Sequence, residues 1–103
     1  MDYNRFSERE KQILQSVVYL LKEDLHPEKI ILFGSRAKGN NRKHSDFDFA
    51  VETNKPDGRI KRNLFERIEK ISGLYKVDIV FLNDVDSTFR DIILSNGKVL
   101  YAK

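Results

Sequence analysis

The chain has 103 residues, of which 40% are hydrophobic and 34% are charged, with a formal net charge of +3 and no cysteine. This length is enough for one hydrophobic core, so we expect a single domain over residues 1–103. The composition excludes disulfides and thiolate metal sites, and no apolar run reaches membrane-spanning length. Because the first residues also lack the apolar core of a signal peptide, a cytoplasmic location is the default expectation.

The chain is predicted to open with a helix followed by a buried strand. Ser7 and Glu10 have capping-box spacing, and the helix is expected to end before Pro27, because the residue ahead of a proline is pushed out of the helical region. Lys29 to Phe33 is short, β-branched and apolar on both faces, which is typical of a buried strand. The apolar residues that recur at helical intervals are Ile13, Leu14, Val17, Val18, Leu21 and Leu25.

A glycine and a serine follow this strand directly. Ser35 is predicted to cap a single helical turn, with Gly39 closing the turn in a left-handed conformation. After a polar basic loop, the next apolar run predicts a second strand from Asp46 to Glu52.

The second half of the chain alternates helices with strands. A turn over Thr53 to Gly58 leads into an amphipathic helix, and Gly73 fits the position just past the end of that helix. We expect a two-layer α/β (α+β) fold in which a small mixed sheet carries helices on one face. The predicted elements are a helix from Arg59 to Ser72, a strand from Tyr75 to Leu82, a short helix from Ser87 to Leu94 and a strand from Lys98 to Tyr101. Their predicted buried apolar residues are Ile60, Leu64, Phe65, Ile68 and Ile71 in the first helix and Phe89, Ile92 and Ile93 in the second.

Two aspartates at the start of the second strand suggest a metal site. Asp46 and Asp48 are two residues apart, so on a strand their carboxylates leave the same face with about 6.5–7 Å of axial separation. Mg²⁺ takes oxygen ligands, commonly only one or two from protein carboxylates, and completes its shell with water and substrate phosphate. The same alternation with Phe47 and Phe49 is also typical of a half-exposed strand, so both interpretations remain open for this pair alone.

A third aspartate lies inside the predicted third strand. Asp78 would be costly to bury without a partner, and a metal ion is one partner that removes the cost. If the third strand pairs with the second, Asp78 joins Asp46 and Asp48, and the three carboxylates would surround two cations about 3.5–4 Å apart. The alternative is a solvated aspartate on an edge strand.

The turn at Gly34 and Ser35 is a candidate phosphate site. The basic loop after it carries Arg36, which suits a triphosphate, although a solvated basic loop is the alternative for its later residues. The segment lacks the ending of a P-loop and the second glycine of the dinucleotide fingerprint, and the segment after Asp46 lacks the glycine and glutamate of an EF-hand. The other basic residues and the histidine of this loop are Lys38, Arg42, Lys43 and His44.

Taken together, these residues resemble the DNA polymerase β-like nucleotidyltransferase superfamily, in particular its minimal nucleotidyltransferase (MNT) branch. The resemblance covers nearly the whole chain and rests on Phe33-Gly34-Ser35-Arg36, Ser45-Asp46-Phe47-Asp48, Val77-Asp78 and the segments Phe89 to Ile92 and Val99 to Tyr101. It implies a nucleotidyltransferase fold in which Gly34 and Ser35 hold the phosphates of ATP, and the charge of Arg36 beside Ser35 makes it a further candidate for phosphate binding. It further implies two Mg²⁺ ions held by Asp46, Asp48 and Asp78, with Asp78 also able to accept the proton of the acceptor hydroxyl.

The resemblance also implies a partner. Members of this branch pair with a HEPN-domain toxin as its antitoxin, and some silence the toxin by transferring AMP to a tyrosine. The expected function is therefore Mg²⁺-dependent transfer of a nucleoside monophosphate, AMP from ATP, to a hydroxyl of a HEPN toxin. A binding-only antitoxin, or an interaction module without turnover, is the main alternative. A nucleic-acid-binding domain ranks third, because the chain has no helix-turn-helix signature or basic aromatic platform.

Overall fold

The computed structural model describes residues 5–40 and 45–103. No helix in these two segments combines the length and the apolar character needed to cross a membrane. The elements alternate along the chain as the sequence predicts, with ends that shift by a few residues. In chain order they are α1 (Glu8–Leu25), β1 (Lys29–Phe33), α2 (Ser35–Lys38), β2 (Phe47–Glu52), α3 (Gly58–Ser72), β3 (Val77–Phe81), α4 (Ser87–Asn96) and β4 (Lys98–Ala102).

The four strands form one mixed sheet in the order β3-β2-β1-β4. Strand β1 pairs antiparallel with both β2 and β4, whereas β2 and β3 are parallel. The register places Asp48 opposite Asp78 across the parallel pair. The expected mixed sheet is therefore confirmed, and the condition for bringing the third aspartate to the other two is met.

The two faces of the sheet are covered differently. Helices α1 and α3 pack on the face that carries Leu32, Phe47 and Phe49, all of which are fully buried. This layer confirms the predicted two-layer α/β arrangement. Helix α4 differs from the expectation, because it packs Ile93 against Ile31 on the opposite face. The buried residues that α1 and α3 contribute to the core are Ile13, Leu14, Val17, Leu21, Leu64 and Ile68.

Side chains and glycines end the helices mostly as the sequence predicts. The capping box of α1 is present, with the Ser7 N–H donating to Glu10 Oε1 at 2.7 Å and the Glu10 N–H donating to Ser7 Oγ at 3.1 Å. Gly39 closes α2 with φ 81°, a left-handed conformation that favours glycine. The expectation that Ser35 caps α2 is wrong, because Gly34 occupies the N-cap position and Ser35 begins the helix.

Two residues predicted to be buried are exposed instead. Ile60 is 42% exposed because it lies in the first turn of α3, at the margin of the helix layer. Ile92 is 52% exposed because the short helix α4 buries only the stripe that contains its neighbour Ile93. Periodicity identified these helices correctly but overestimated the width of the face that each one buries.

The most unusual residue of the core is Arg36, whose side chain is completely buried. Its guanidinium is paired with the Glu10 carboxylate of α1, and its Nε donates to the carbonyl oxygen of Ser45 at 3.0 Å. The same group lies 3.9 Å above the Phe47 ring centroid and 5.4 Å from that of Tyr75. One side chain therefore joins α1, the start of β2 and the segment that leads into β3.

The pairing with Arg36 helps to lower the pKa of Glu10. Partial burial by itself raises the pKa of Glu10, but hydrogen bonds from Ser7 and Arg36 and the positive charge of Arg36 outweigh it. The net pKa of Glu10 lies below its ordinary value of 4.5. A carboxylate with a lowered pKa stabilises the folded state above its unfolded pKa and loses that contribution as the pH falls through the folded pKa.

We expect Glu10→Gln to destabilise the domain by about 3 kcal/mol at neutral pH, because it leaves a buried arginine without a counter-charge. The glutamine keeps the capping geometry, so the loss reports on charge. Glu8→Gln is the matched control, since the Glu8 side chain is 88% exposed and should change stability by less than about 1 kcal/mol. Chemical unfolding monitored by circular dichroism measures both variants. Equal stability of the two would contradict the assigned role of Glu10, as would a penalty that persists unchanged in acid.

Candidate functional site

Three carboxylates converge at one end of the parallel strand pair. Asp46 precedes β2, Asp48 is the second residue of β2, and Asp78 is the second residue of β3. Each side chain contributes one oxygen to a cluster whose members all lie within 4.8 Å of one another. The register of β2 with β3 produces this convergence, because Asp48 and Asp78 are direct neighbours across the pair.

Within residues 5–40 and 45–103, the negative charge of the cluster is compensated only in part. Burial raises the pKa of Asp48 above its ordinary value of 3.8, and the nearby charges of Asp78 and Asp46 raise it further. Lys76 opposes this shift, and its Nζ lies 3.8 Å from Asp78 Oδ1. Among the residues that the structure describes, the exposed Lys76 ammonium offsets only part of the repulsion among the three carboxylates.

The donor set suits a hard divalent cation. Three carboxylate oxygens within 4.8 Å of one another, one of them on a group whose ionisation is disfavoured, gain most from a cation that takes oxygen ligands. Asp46, Asp48 and Asp78 would hold such ions and leave coordination positions for water and substrate oxygens. The arrangement is thus chemically suited to phosphoryl or nucleotidyl transfer.

The turn after β1 lies directly against this cluster. Phe33 is the register partner of Asp48, and the chain then turns at Gly34 with φ 76°. A Cβ placed on Gly34 would lie 2.5 Å from Asp48 Oδ2, so only glycine allows this approach. The half-buried Ser35 follows at the start of α2. The structure therefore brings Gly34, Ser35 and the three aspartates together at one end of the sheet.

Arg36 occupies a different position from the one expected at the phosphates. Its guanidinium is buried in the core with Glu10, Phe47 and Tyr75, and its side chain has no exposed surface. We therefore correct the expectation and assign Arg36 a role in holding the turn that contains Gly34. Of the other loop residues considered for phosphate binding, Lys38 is exposed. Arg42, Lys43 and His44 lie outside the described residues.

Sequence reasoning missed three residues that shape the site. The capping spacing identified Glu10 as a helix-start residue but gave no sign that its second oxygen meets Arg36. Tyr75 was expected only as the beginning of a strand, yet its ring lies beside the same guanidinium. Lys76 could have been recognised as a neighbour of Asp78, because residues two apart on an extended segment share a face.

An aromatic pair adjoins the cluster on the same face of the sheet. Phe33, the register partner of Asp48, meets Phe89 of α4 edge to face, with ring centroids 5.8 Å apart. The carboxylates are therefore bounded on the β1 side by apolar rings. On the other side lies β3, which is at the edge of the sheet.

Comparisons with other sequences are consistent with this geometry. Residues 15–103 match the sequence family described as polymerase beta nucleotidyltransferase. A candidate protein adenylyltransferase of Methanocaldococcus jannaschii is 35% identical over 82 residues, which cover 77% of this chain and 81% of that protein. The protein adenylyltransferase MntA of Aphanizomenon flos-aquae is 37% identical over 83 residues, covering 70% of this chain. The match spans only 55% of the length of that second relative.

The fold is similar to that of solved structures. A crystal structure of a toxin-antitoxin with AMP-PNP has a TM-score of 0.74 at 24% identity, covering 86% of this chain and 73% of that chain. A structure of a tri-AMPylated HEPN toxin of Shewanella oneidensis in complex with an MNT antitoxin has a TM-score of 0.69 at 21% identity, covering 90% of this chain and 72% of that chain. At these identities the likeness concerns the fold.

We expect the stability of the metal-free domain to fall as the pH rises through the raised pKa of Asp48. The folded state binds this proton more tightly than the unfolded state does, so deprotonation above the ordinary value of 3.8 favours unfolding. Thermal unfolding in EDTA between about pH 4 and pH 7 measures the effect. Asp48→Asn should remove this dependence and raise the midpoint at neutral pH by less than about 4 °C, which corresponds to under ~1 kcal/mol.

Asp84→Asn is the control for that experiment, because Asp84 is an exposed aspartate outside the cluster. A midpoint for Asp48→Asn below that of the parent at neutral pH in EDTA would contradict the predicted repulsion.

Proposed function

Because the chain belongs to the polymerase beta nucleotidyltransferase family, we propose that it transfers AMP from ATP to a hydroxyl of a partner HEPN toxin and acts as the antitoxin of that toxin. The observation that carries the proposal is the convergence of Asp46, Asp48 and Asp78 beside the turn at Gly34. A reaction that consumes ATP also fits the cytoplasmic location expected from the sequence.

The three aspartates would act as ligands for two Mg²⁺ ions. When bound, these cations stabilise the negative charge that develops on the attacking and leaving oxygens. Asp46 and Asp48 present their carboxylates from one strand, while Asp78 approaches from the neighbouring strand, so the cluster can bridge two positions. Asp78 would also accept the proton of the acceptor hydroxyl, because it lies on the strand at the open edge of the sheet.

Gly34 and Ser35 would hold the phosphates of ATP. The chain at Gly34 has no side chain to block its approach to Asp48, so a phosphate bound along this turn would lie next to the metal ligands. Arg36 contributes indirectly, since its buried guanidinium fixes the turn to α1 and to the start of β2. We infer that these contacts hold the turn in place before the nucleotide binds, which would lower the entropic cost of binding.

The nature of the acceptor is supported by similarity. Both curated relatives are named protein adenylyltransferases, one as a candidate, and the similar solved structures include a toxin-antitoxin with AMP-PNP and an AMPylated HEPN toxin with an MNT antitoxin. We infer a tyrosine hydroxyl as the acceptor, as the resemblance implies. A binding-only antitoxin remains the rival function, and it requires none of the three carboxylates.

We expect a HEPN partner that has been incubated with this protein, ATP and Mg²⁺, and then separated from it, to stay inactive and to be heavier by one or more AMP units. Intact-mass spectrometry and a toxin activity assay give the two readouts. Asp46→Asn combined with Asp48→Asn should lower the transfer rate more than ~100-fold, since changes to outer-shell groups alone cost about 10–100-fold. Asp78→Asn should do the same while complex formation persists.

Asp84→Asn serves as the charge-matched control for these variants and should transfer AMP at the parental rate. A partner that regains full activity on separation with unchanged mass, and that the aspartate variants inhibit as well as the parent does, would establish binding-only neutralisation in place of transfer.

We expect Gly34→Ala to weaken Mg²⁺-dependent ATP binding more than ~10-fold, because the new Cβ meets Asp48 Oδ2 at 2.5 Å and displaces that carboxylate. The backbone of Gly34, with φ 76° and ψ −158°, has a conformation that is essentially restricted to glycine, so the substitution also adds a stability cost of about 1–3 kcal/mol. Gly58→Ala is the matched control, since a Cβ at Gly58 has no neighbour within 4 Å. Isothermal titration with ATP measures both variants. Parental affinity in Gly34→Ala would exclude this turn as the phosphate site.

A further inference from the structure

The outer edge of β3 offers backbone groups that can pair with another strand. The carbonyl oxygen of Lys76 accepts a hydrogen bond from the Phe47 N–H at 2.9 Å, and the Leu82 N–H donates to the carbonyl oxygen of Val51 at 2.9 Å. Even-numbered residues of this segment therefore direct their backbone groups toward β2. The N–H and C=O groups of Val77 and Ile79 point the other way, and within residues 5–40 and 45–103 no strand lies along that side.

The side chains along this edge divide into two surfaces. Asp78 projects onto the face that carries the carboxylate cluster. Val77 and Ile79 project onto the other face, where they line a groove of about 370 Å³. Phe65 and Leu74 add to its apolar lining, and Glu69, Ser72 and Lys76 add polar groups at its margin. Leu74 is 94% exposed, so its side chain is accessible to a partner at this groove. Along residues 77–79, the apolar side chains of Val77 and Ile79 therefore point to one face and the Asp78 carboxylate points to the other.

The position of the candidate site favours access from this edge. On the β1 side, Phe33 and Phe89 cover the same face of the sheet. Asp78 belongs to the edge strand itself, so an acceptor hydroxyl reaches it most directly from beyond β3. An extended segment laid along β3 would keep about the 4.7–4.9 Å spacing of paired strands.

We propose that the acceptor segment of the partner binds as a fifth strand along the outer edge of β3, with its hydroxyl residue opposite Asp78 and an apolar residue on each side. The inference rests on the proposed function, which it extends to the mode of acceptor recognition. Residues opposite each other on paired strands point to the same face with Cβ atoms about 4.5–5.5 Å apart. The hydroxyl residue therefore lies over the carboxylates, while its two neighbours enter the groove beside Val77 and Ile79.

This arrangement would select acceptor segments by their extended backbone and by the residues on either side of the hydroxyl. Backbone hydrogen bonds with Val77 and Ile79 hold the segment whatever its sequence, and the side chains of Val77 and Ile79 favour apolar residues next to the modified one. A hydroxyl on a helix does not fit, because a helix has no backbone groups free to pair with β3. Hydroxyl residues elsewhere on the partner surface would escape modification for the same reason.

Amide hydrogen exchange measured by NMR tests this geometry on the intact complex with the HEPN partner. The N–H groups of Val77 and Ile79 should become at least ~10-fold better protected in the complex, whereas those of Asp78 and Val80, already directed to β2, should change little. Equal protection of all four amides, or of none, would overturn strand addition. Protection of Val77 and Ile79 in the protein alone, rising with its concentration, would assign the edge to a second copy of this chain and would also overturn the proposal.

A pair of substitutions at Ile79 provides an independent test. Both Ile79→Pro and Ile79→Ala remove the isoleucine side chain. Only Ile79→Pro also removes the outward backbone N–H, and it does so without breaking a hydrogen bond to β2. We expect Ile79→Pro to transfer AMP to the partner at least ~10-fold more slowly than Ile79→Ala. Mn²⁺ titration of each variant, with parental affinity expected, verifies that the carboxylates are undisturbed. Equal transfer by the two variants would overturn the proposal.

The outcome can be separated from that of the proposed function. If the parent protein leaves the mass of the partner unchanged, the transfer reaction itself is absent. If the parent transfers AMP and Ile79→Pro matches Ile79→Ala, only the mode of acceptor binding is wrong.

Discussion

The buried charge pair between Arg36 and Glu10 is the interaction on which the candidate site depends. A guanidinium with no exposed surface is stable only when its charge is balanced and its donors are bonded. Glu10 supplies the charge, Ser45 accepts from Nε, and the ring of Phe47 lies against the flat face of the group. Because Arg36 follows Gly34 by two residues, this anchoring fixes the turn that meets Asp48.

The same anchor links segments that are distant in sequence. Glu10 lies in the first turn of α1, Ser45 immediately precedes the first aspartate of the cluster, and Tyr75 lies three residues before Asp78. Displacement of Arg36 would therefore shift every part of the site together. Arg36, which the sequence analysis assigned to phosphate binding, is instead buried in the core beside Glu10 and Phe47.

The cluster itself opposes folding when it is empty of counter-charge. Three carboxylates with oxygens within 4.8 Å of one another repel, and burial together with this repulsion raises the pKa of Asp48. The hydrophobic core on the far side of β2 offsets it, since Phe47 and Phe49 are fully buried beneath α1 and α3. Strand β2 thus carries buried aromatic side chains on one face and the mutually repelling Asp48 carboxylate on the other. This arrangement keeps the ligands in place before any cation arrives, because the alternation of a β-strand couples the two faces rigidly.

The sequence by itself determined the element order, the capping box of α1, the alternation of β2 and the acidic nature of the site. These features are local, and they follow from periodicity, from the preferences of serine, glycine and proline, and from residue chemistry over a few positions. Only the tertiary structure decided where Arg36 points, that α4 covers the opposite face and that Ile60 and Ile92 stay exposed. Those outcomes depend on which surfaces pack against each other across the sheet, and local sequence patterns do not specify such long-range contacts. The proximity of Asp48 and Asp78 depends on both levels. The position of each aspartate on a strand could be predicted from the sequence, but only the parallel register of β2 with β3 brings the two side chains together.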